Sequence, residues 1–533
     1  MRVVPAVVRR ALSKDKLFAV ALVPALLLRV DAELGYRWQS WFNDSWNYVD
    51  TAVTLNLDPT RTSGYSLYLW LLKPFHSFAL VTVSQHLMGL AVAVMIYALA
   101  RHRFGAPAWL AVAMTLPVLY DGFEIQLEHL IMSDTLFLFL AMLAVVVLLW
   151  SPLRAGTAPW WRSAWLRCGV AGVLLGASAV VRSTGLPLLP LFAVYLLVCL
   201  GLSRAGWRTL TACVAAFAAA GVAPVAGYAG WYDIQHGAFN TSESTGVFLY
   251  SRVMTFADCS RMRLTPDLLS LCTTVPPARR PIAQAYIWTQ ASPLDRFPPP
   301  KFSPLPNSLA EQFAVKAVES QPLAYARVVF DDTWRSFDWP RTAFPNAQTY
   351  DEYLFGYHSV PIAAGHRVPG YPSSAAAYLG GGNPLTAVVN PFAAAIRVYQ
   401  RYIWLPGTVY GLILLAGLAG MAAAWRRGGG EALLPWACSA ALIVVPAATA
   451  EFDYRYVTTA VPFACLALAL AFGRGTGGTR LARRLARRRP GRRDGGGQAA
   501  RAPGRAGGLP GGSLGGGTAD ASHDQRDFAP DAS

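Results

Sequence analysis

Long apolar runs recur along the chain, separated by short polar breaks and by one long proline-rich interval. A transmembrane helix needs about 20 mainly apolar residues, within a range of roughly 17–25. Ten stretches meet or approach that length: 17–30, 78–100, 106–120, 133–150, 168–182, 184–202, 209–230, 403–424, 432–450 and 457–473. The third is short, and the fifth and sixth meet at Arg182-Ser183-Thr184. The pattern predicts an all-α polytopic membrane protein of about ten transmembrane helices, with an extracytoplasmic loop domain between helices 7 and 8. The first run is too long for a signal peptide, and no small-residue cleavage site follows it.

Lysine and arginine counts at the span ends set the orientation. With the N-terminal segment 1–16 cytoplasmic, Arg2, Arg9, Arg10, Lys14 and Lys16 lie inside. Alternation then puts Arg101 and Arg103, Arg154, Arg162 and Arg167, Arg204 and Arg208, and Arg426 and Arg427 on the same side. The basic tail beginning at Arg474 falls there too, so both termini are expected in the cytoplasm. Outside lie loop 31–77, the short segment 121–132, the large loop 231–402 and the hexapeptide Glu451–Tyr456. The expected organisation is a helical core over 17–230, the outer loop 231–402, closing spans over 403–473, and a basic, then Gly-rich, disordered tail over 474–533.

Composition agrees with the pattern. Of 533 residues 54% are hydrophobic and 14% charged, against roughly 25% charged in a soluble globular chain; a cytosolic enzyme, a fibrous protein and a disordered chain are excluded. The net charge of +16 invites a nucleic-acid reading, but the last sixty residues hold twelve arginines against five aspartates, a net of +7. Much of the remainder flanks the spans, so the charge is a topology signal and no nucleic-acid partner is expected. Five cysteines (Cys168, Cys199, Cys213, Cys438, Cys465) sit in predicted spans as small apolar residues. Cys259 and Cys272 sit thirteen apart in the large outer loop, and an oxidising exterior favours a disulfide between them over two free thiols. In the same loop, Ser308-Leu309-Ala310-Glu311 reads as a capping box opening an amphipathic helix with Phe313, Val315 and Val318 among its apolar positions. A second helix is expected from Leu323 to about Phe337, and these short helices are expected to lie on the membrane surface.

Ionisable groups near membrane depth are costly and point to function. The outer span ends carry Asp31, Glu33, Asp44 and Asp50; Asp121, Glu124, Glu128 and Asp134; and Glu451 and Asp453, with Arg182 and Arg455 among them. Asp121 and Glu124 read as solvated loop charges, Asp134 as either a functional acid or a charge favoured by a helix N-terminus, and Arg182 as either functional or an interface anchor. Asp44, a lone acid within Phe42-Asn43-Asp44-Ser45-Trp46-Asn47-Tyr48, is the leading functional candidate. On a helix Asp44, Asn47 and Tyr48 share a face that Asp50 does not. His129 beside Glu128 is a weaker candidate. No His/Asp/Glu cluster has metal-ligand spacing, so no metal or other cofactor follows from the sequence, although a divalent ion between an acid and a phosphate would be compatible with it.

In order and location these motifs resemble those of the GT-C glycosyltransferases, polytopic enzymes that use polyprenyl-phosphate-linked sugars, including the protein mannosyltransferase and aminoarabinose transferase branches. Asp44-Ser45-Trp46-Asn47-Tyr48 is similar to the acidic first-loop motif, and Arg61-Thr62-Ser63-Gly64-Tyr65-Ser66-Leu67 to the Gly-Tyr motif before the second span. Met132-Ser133-Asp134-Thr135-Leu136 resembles the acidic start of the fourth span. Ala179-Val180-Val181-Arg182-Ser183-Thr184-Gly185 resembles the Arg-containing turn, and Tyr454-Arg455-Tyr456 the late Arg-Tyr element. The likeness covers about 15–230 and 400–473. One departure is Ser45, where the family often has a second acid after the first; Asp50 or Asp134 could supply it. The resemblance implies sugar transfer from a polyprenyl-phosphate donor to an acceptor hydroxyl on a glycan, protein or lipid, at an extracytoplasmic site of a cell-membrane protein surrounded by membrane lipids. Asp44 would be the general base of an inverting displacement. Arg182 and Arg455 would hold the phosphate, with Asp134, Tyr456, Tyr48, Tyr65, Glu128 and His129 lining the substrates. Two other classes compete: a transporter or flippase, which predicts mid-span charges and related halves, and a non-catalytic envelope scaffold on the same helices.

Overall fold

The computed structural model describes residues 15–150, 163–202, 206–290, 292–297, 300–357, 371–424 and 430–473. The expectations for the first fourteen residues, for Arg154, Arg162, Arg204, Arg426 and Arg427, and for the tail 474–533 lie outside the described residues. The apolar runs form helices wherever they were expected. The first is α1 (Lys16–Gly35), followed by two short helices, α2 (Ser45–Thr54) and α3 (Gly64–Leu72), within the first loop. Helix α4 (Phe78–Ala98) is followed by Ala108–Tyr120, which bends by 53° into α5 (Gly122–His129), and by α6 (Asp134–Leu149). Three more complete the first bundle: α7 (Ala164–Val181), α8 (Leu188–Leu202) and α9 (Trp207–His236).

The large loop has a core of its own. Helices α10 (Thr245–Val253) and α11 (Pro304–Ser320) pack through Val247, Tyr250, Phe313 and Ala317, with Leu271 and Leu294 filling between them. Helix α12 (Pro322–Arg335) is tied to α10 by the Arg252–Asp332 ion pair at 2.8 Å. The capping-box reading was misplaced: α11 starts at Pro304 after Ser303, because proline suits the first helical position, and Ser308 lies inside the helix. Phe313 is buried, whereas Val315 is 43% exposed. Cys259 and Cys272 are joined by a disulfide. The chain returns through α13 (Phe392–Tyr402), bends by 57° into α14 (Gly407–Ala424), and closes with α15 (Leu433–Thr449) and α16 (Tyr454–Ala471).

Among the described residues, six helical stretches are long and apolar enough to span a membrane, or eight if each bent pair counts as one span. Of the ten expected spans, the first and the fourth are those outside the eight. Helix α1 carries Arg29, Asp31 and Glu33 in its last turns, and α6 has only 16 residues. The architecture is nevertheless that of an all-α, multi-pass membrane protein. Small residues let α7 and α9 approach closely, as in membrane helix pairs generally: a Cβ on Gly176 would lie 2.2 Å from the Gly221 carbonyl oxygen. Among the described residues, the sheet content is two residues on each side, β1 (Tyr36–Arg37) antiparallel to β2 (Ala387–Val388), which fastens the first loop to the end of the large one. A parallel bridge between Ser40 and Leu130 fastens the same loop to the residue that follows α5.

Candidate functional site

Asp44 occupies the residue before α2, and its carboxylate is held by two arginines from opposite ends of the sequence. Arg61 approaches one oxygen at 2.7 Å and Arg455, in the first turn of α16, approaches the other at 2.8 Å. Arg455 also lies 3.0 Å from Asp453, and Arg61 lies 3.8 Å from Asp58. Burial alone would push the Asp44 carboxyl up; the charges of Arg61 and then Arg455 outweigh it and hold the group well below the usual carboxylate range. The side chains of Asp44, Arg61 and Arg455 keep 18%, 16% and 16% of their surface open.

Arg182, at the C-terminal end of α7, pairs with Asp134 at the start of α6. Its guanidinium also stands over the Tyr456 ring, 5.0 Å from the centroid, and Arg455 lies 5.7 Å from the same ring. Tyr48 shares a hydrogen bond with Ser133, next to Asp134, at 3.0 Å, and packs edge-on against Tyr65 at 5.0 Å. Gly64 makes that placement feasible: a Cβ there would lie 2.6 Å from the Val180 carbonyl, so only glycine lets the start of α3 rest on the end of α7 beside Arg182. Seven of the residues singled out from the sequence (Asp44, Tyr48, Tyr65, Asp134, Arg182, Arg455 and Tyr456) thus belong to one connected set. The two residues considered as a second acid have partners of their own. Asp50 turns away to Ser374 at 2.5 Å, and Asp134 is engaged by Arg182.

Two groups of this set carried no sequence signal of their own. Arg61 belongs to the quoted Gly-Tyr motif, but nothing marked its charge as a partner of Asp44. Glu352, from the large loop, accepts the Asn43 backbone N–H at 3.0 Å beside Asp44. Burial pushes its carboxyl up to about 8, against the pull of the Asn43 hydrogen bond, and the nearby Asp44 adds to the rise. Tyr353 next to it donates to Asp453.

Glu128 and His129 are buried and belong to a second cluster. Glu128 accepts two bonds from Arg29, at 2.8 and 2.7 Å, and faces Nδ1 of His86 at 2.7 Å. His129 meets His86 at 3.2 Å and the Tyr36 carbonyl at 2.9 Å. Among the described residues, Glu33, His86 and His129 are the group whose ligand atoms could hold a metal ion, all within 4.8 Å of one another. Asp121 and Glu124 are not solvated; they are 6% and 3% exposed. The bend before α5 folds them inward, where Asp121 caps that helix through the Phe123 N–H at 2.8 Å and faces Arg341 at 3.5 Å. A cavity of about 390 Å³ opens beyond Arg341, lined also by Phe123, Tyr357, Arg397 and Trp404.

No protein-family model matches the chain, and comparison with curated proteins likewise finds no match. Solved structures of similar shape are GT-C glycosyltransferases. The archaeal oligosaccharyltransferase AglB from Archaeoglobus fulgidus, in complex with an inhibitory peptide and a dolichol-phosphate, is 14% identical over 90% of this chain and 53% of its own, with a TM-score of 0.42. ArnT from Cupriavidus metallidurans, bound to undecaprenyl phosphate, is 14% identical over 88% of this chain and 80% of its own, at 0.32. The S. cerevisiae protein O-mannosyltransferase Pmt1-Pmt2 complex, bound to the sugar donor, is 14% identical over 45% of this chain and 36% of its own, at 0.34. The chain spans about a third of the yeast protein and about half of the archaeal one.

Proposed function

We propose that the chain is a membrane glycosyltransferase that moves a sugar from a polyprenyl-phosphate donor to an acceptor hydroxyl on the outer face of the membrane, with inversion. The observation that carries the reading is the seating of Asp44 between Arg61 and Arg455, with Arg182 close by around Tyr456. Arginine suits a phosphate because its planar fork pairs two oxygens and keeps its charge. A phosphate leaves as a stable anion, so no general acid is needed; one base and a set of cations are enough. In the transfer, the acceptor oxygen bonds to the anomeric carbon as its proton passes to Asp44. The bond from that carbon to the phosphate oxygen breaks, and the polyprenyl phosphate leaves with the electron pair, held by the arginines.

The two salt bridges on Asp44 bear directly on this chemistry. A carboxylate held by two guanidiniums is a weak base, so the donor phosphate has to compete for the same arginines. Once it does, Asp44 is partly released and its basicity recovers, which couples donor binding to activation of the acceptor. Glu352, with its raised pKa, stands beside Asp44 as the second acid of the site. What supports an outer-face location is that the span ends assigned outside by the flanking charges meet here: the N-terminal ends of α6 and α16 and the C-terminal end of α7.

The test separates binding from chemistry. Asp44→Asn removes the competitor for the arginines, so the variant should bind polyprenyl phosphate at least as tightly as wild type while transferring no sugar. Unimpaired transfer by Asp44→Asn refutes the base assignment; loss of phosphate binding together with transfer refutes the competition.

A further inference from the structure

We infer that Glu33, His86 and His129 form a site for a divalent transition-metal ion of the zinc class, one that braces the loop leading to Asp44. The three residues come from α1, α4 and α5, and their facing atoms form a triangle. His86 Nε2 and His129 Nδ1 are 3.2 Å apart, and Glu33 Oε1 lies 3.6 Å from the first and 3.7 Å from the second. The point equidistant from the three atoms lies roughly 2 Å from each, which is the zinc–nitrogen and zinc–oxygen bond length. A tetrahedral zinc site would place its ligand atoms about 3.3 Å apart.

Hydrogen bonding fixes which nitrogens are free to bind. Nδ1 of His86 faces the Glu128 carboxylate at 2.7 Å, and Nε2 of His129 faces the Tyr36 carbonyl at 2.9 Å. Both partners are acceptors, so those two nitrogens carry the protons and neutral rings point bare lone pairs at each other. Two bare lone pairs at this distance repel unless a cation lies between them. Metal-binding histidines are held in this way, with the second nitrogen donating to a carboxylate or a backbone carbonyl.

The charge balance points in the same direction. Glu33 is 9% exposed, and neither of its oxygens makes a hydrogen bond. Thr82 stands beside the carboxylate, but its hydroxyl is directed at the Trp38 carbonyl at 2.9 Å. Arg29, one turn before Glu33, is turned to Glu128 instead. Both Glu33 oxygens are therefore left without a hydrogen-bond donor, facing the two rings. Two imidazoles and one carboxylate suit zinc among the common divalent ions, with a fourth position left for water. The site adjoins the first loop directly: the Ser40 N–H donates to the His129 carbonyl at 3.1 Å, and the Ile131 N–H donates to the Ser40 carbonyl at 3.1 Å.

The site uses none of the residues around Asp44, and metal content is read without turnover, so it stands or falls separately from the proposed activity. The full chain, purified through a histidine-free tag without added metal or chelator, should carry about one zinc per chain by elemental mass spectrometry. Glu33→Gln and His129→Gln should fall well below that, and Asp44→Asn should not. Stripping wild type with dipicolinate should lower its thermal midpoint, and zinc should restore it. Cobalt(II) added to the stripped protein should give the intense visible bands of a tetrahedral site. Wild type that carries no stoichiometric metal, and whose stripped form shows neither cobalt bands nor a zinc-dependent midpoint, would mean that the two rings share a proton instead, and the inference would be wrong. The cobalt and zinc readings need only the wild-type chain, so they decide the matter even if a variant fails to fold.

Discussion

The Arg29–Glu128 pair permits a quantitative test of the core on which both clusters rest. Arg29 is 2% exposed and Glu128 is fully buried. The guanidinium makes two bonds to the carboxylate and further bonds to the carbonyls of Leu119 at 2.9 Å, Val118 at 3.1 Å and Ala25 at 3.1 Å. Arg29→Met removes all of these and leaves Glu128 with His86 as its remaining side-chain partner. Removing one member of a buried pair costs about 3–5 kcal/mol, because the other charge is left uncompensated. At about 1.4 kcal/mol per tenfold, that is more than a hundredfold in the ratio of folded to unfolded protein. Glu128→Gln in the same background should recover much of the loss, since an amide carries no charge and can still accept from His86. Equilibrium unfolding in detergent, followed by tryptophan fluorescence, reads all three variants and gives the coupling between the sites. A loss below about 1 kcal/mol for Arg29→Met, or simple additivity in the double variant, would refute the reasoning; both outcomes fall outside what a buried pair allows.

Other expectations follow from the same geometry. Arg455→Gln takes one of two cations from Asp44 and from the proposed phosphate site, and kcat should fall by roughly 10²–10³, the loss typical of one charge-stabilising donor. Glu352 holds a proton in the folded protein up to about pH 8, whereas the unfolded chain releases it near its ordinary value of 4.5; stability should therefore decline as pH rises across that window, and Glu352→Gln should flatten the decline in thermal midpoint measured from pH 5 to 8. Gly64→Ala should push α3 off the end of α7 and lower both stability and transfer, because the added methyl meets backbone. Cys259→Ser with Cys272→Ser removes a cross-link over a short loop and should cost about 3 kcal/mol on the chain-entropy model, seen as faster proteolysis of 259–272 with the membrane helices intact.

Much of the helical core was legible because burial in a bilayer demands long apolar runs, and such runs can be read directly from the sequence. Two of the expected spans fall outside the eight: α1, where Arg29, Asp31 and Glu33 interrupt the apolar run, and α6, which has only 16 residues. Arg182 and Arg455 could be picked out because a charge at the end of an apolar helix is conspicuous, and Asp44 because it is a lone acid among aromatic residues. Asp121 and Glu124 were misread for the complementary reason, since a polar stretch between two apolar ones looks solvated until the chain folds back over it. Glu352 could not be anticipated, because a loop of more than a hundred residues has no period to say which side chain returns to Asp44. Nor could the triangle of Glu33, His86 and His129 be seen, because its members sit on three helices and no short spacing links them.

The most direct measurement is transfer itself. Proteoliposomes containing wild type or Asp44→Asn would be incubated with a panel of radiolabelled polyprenyl-phosphate sugars and a membrane-envelope acceptor fraction, and label leaving the lipid phase followed over time. The account predicts that wild type releases label from at least one donor, that folded Asp44→Asn releases none, and that the newly formed bond has inverted anomeric configuration. Equal release by both proteins, or release with retained configuration, would contradict it.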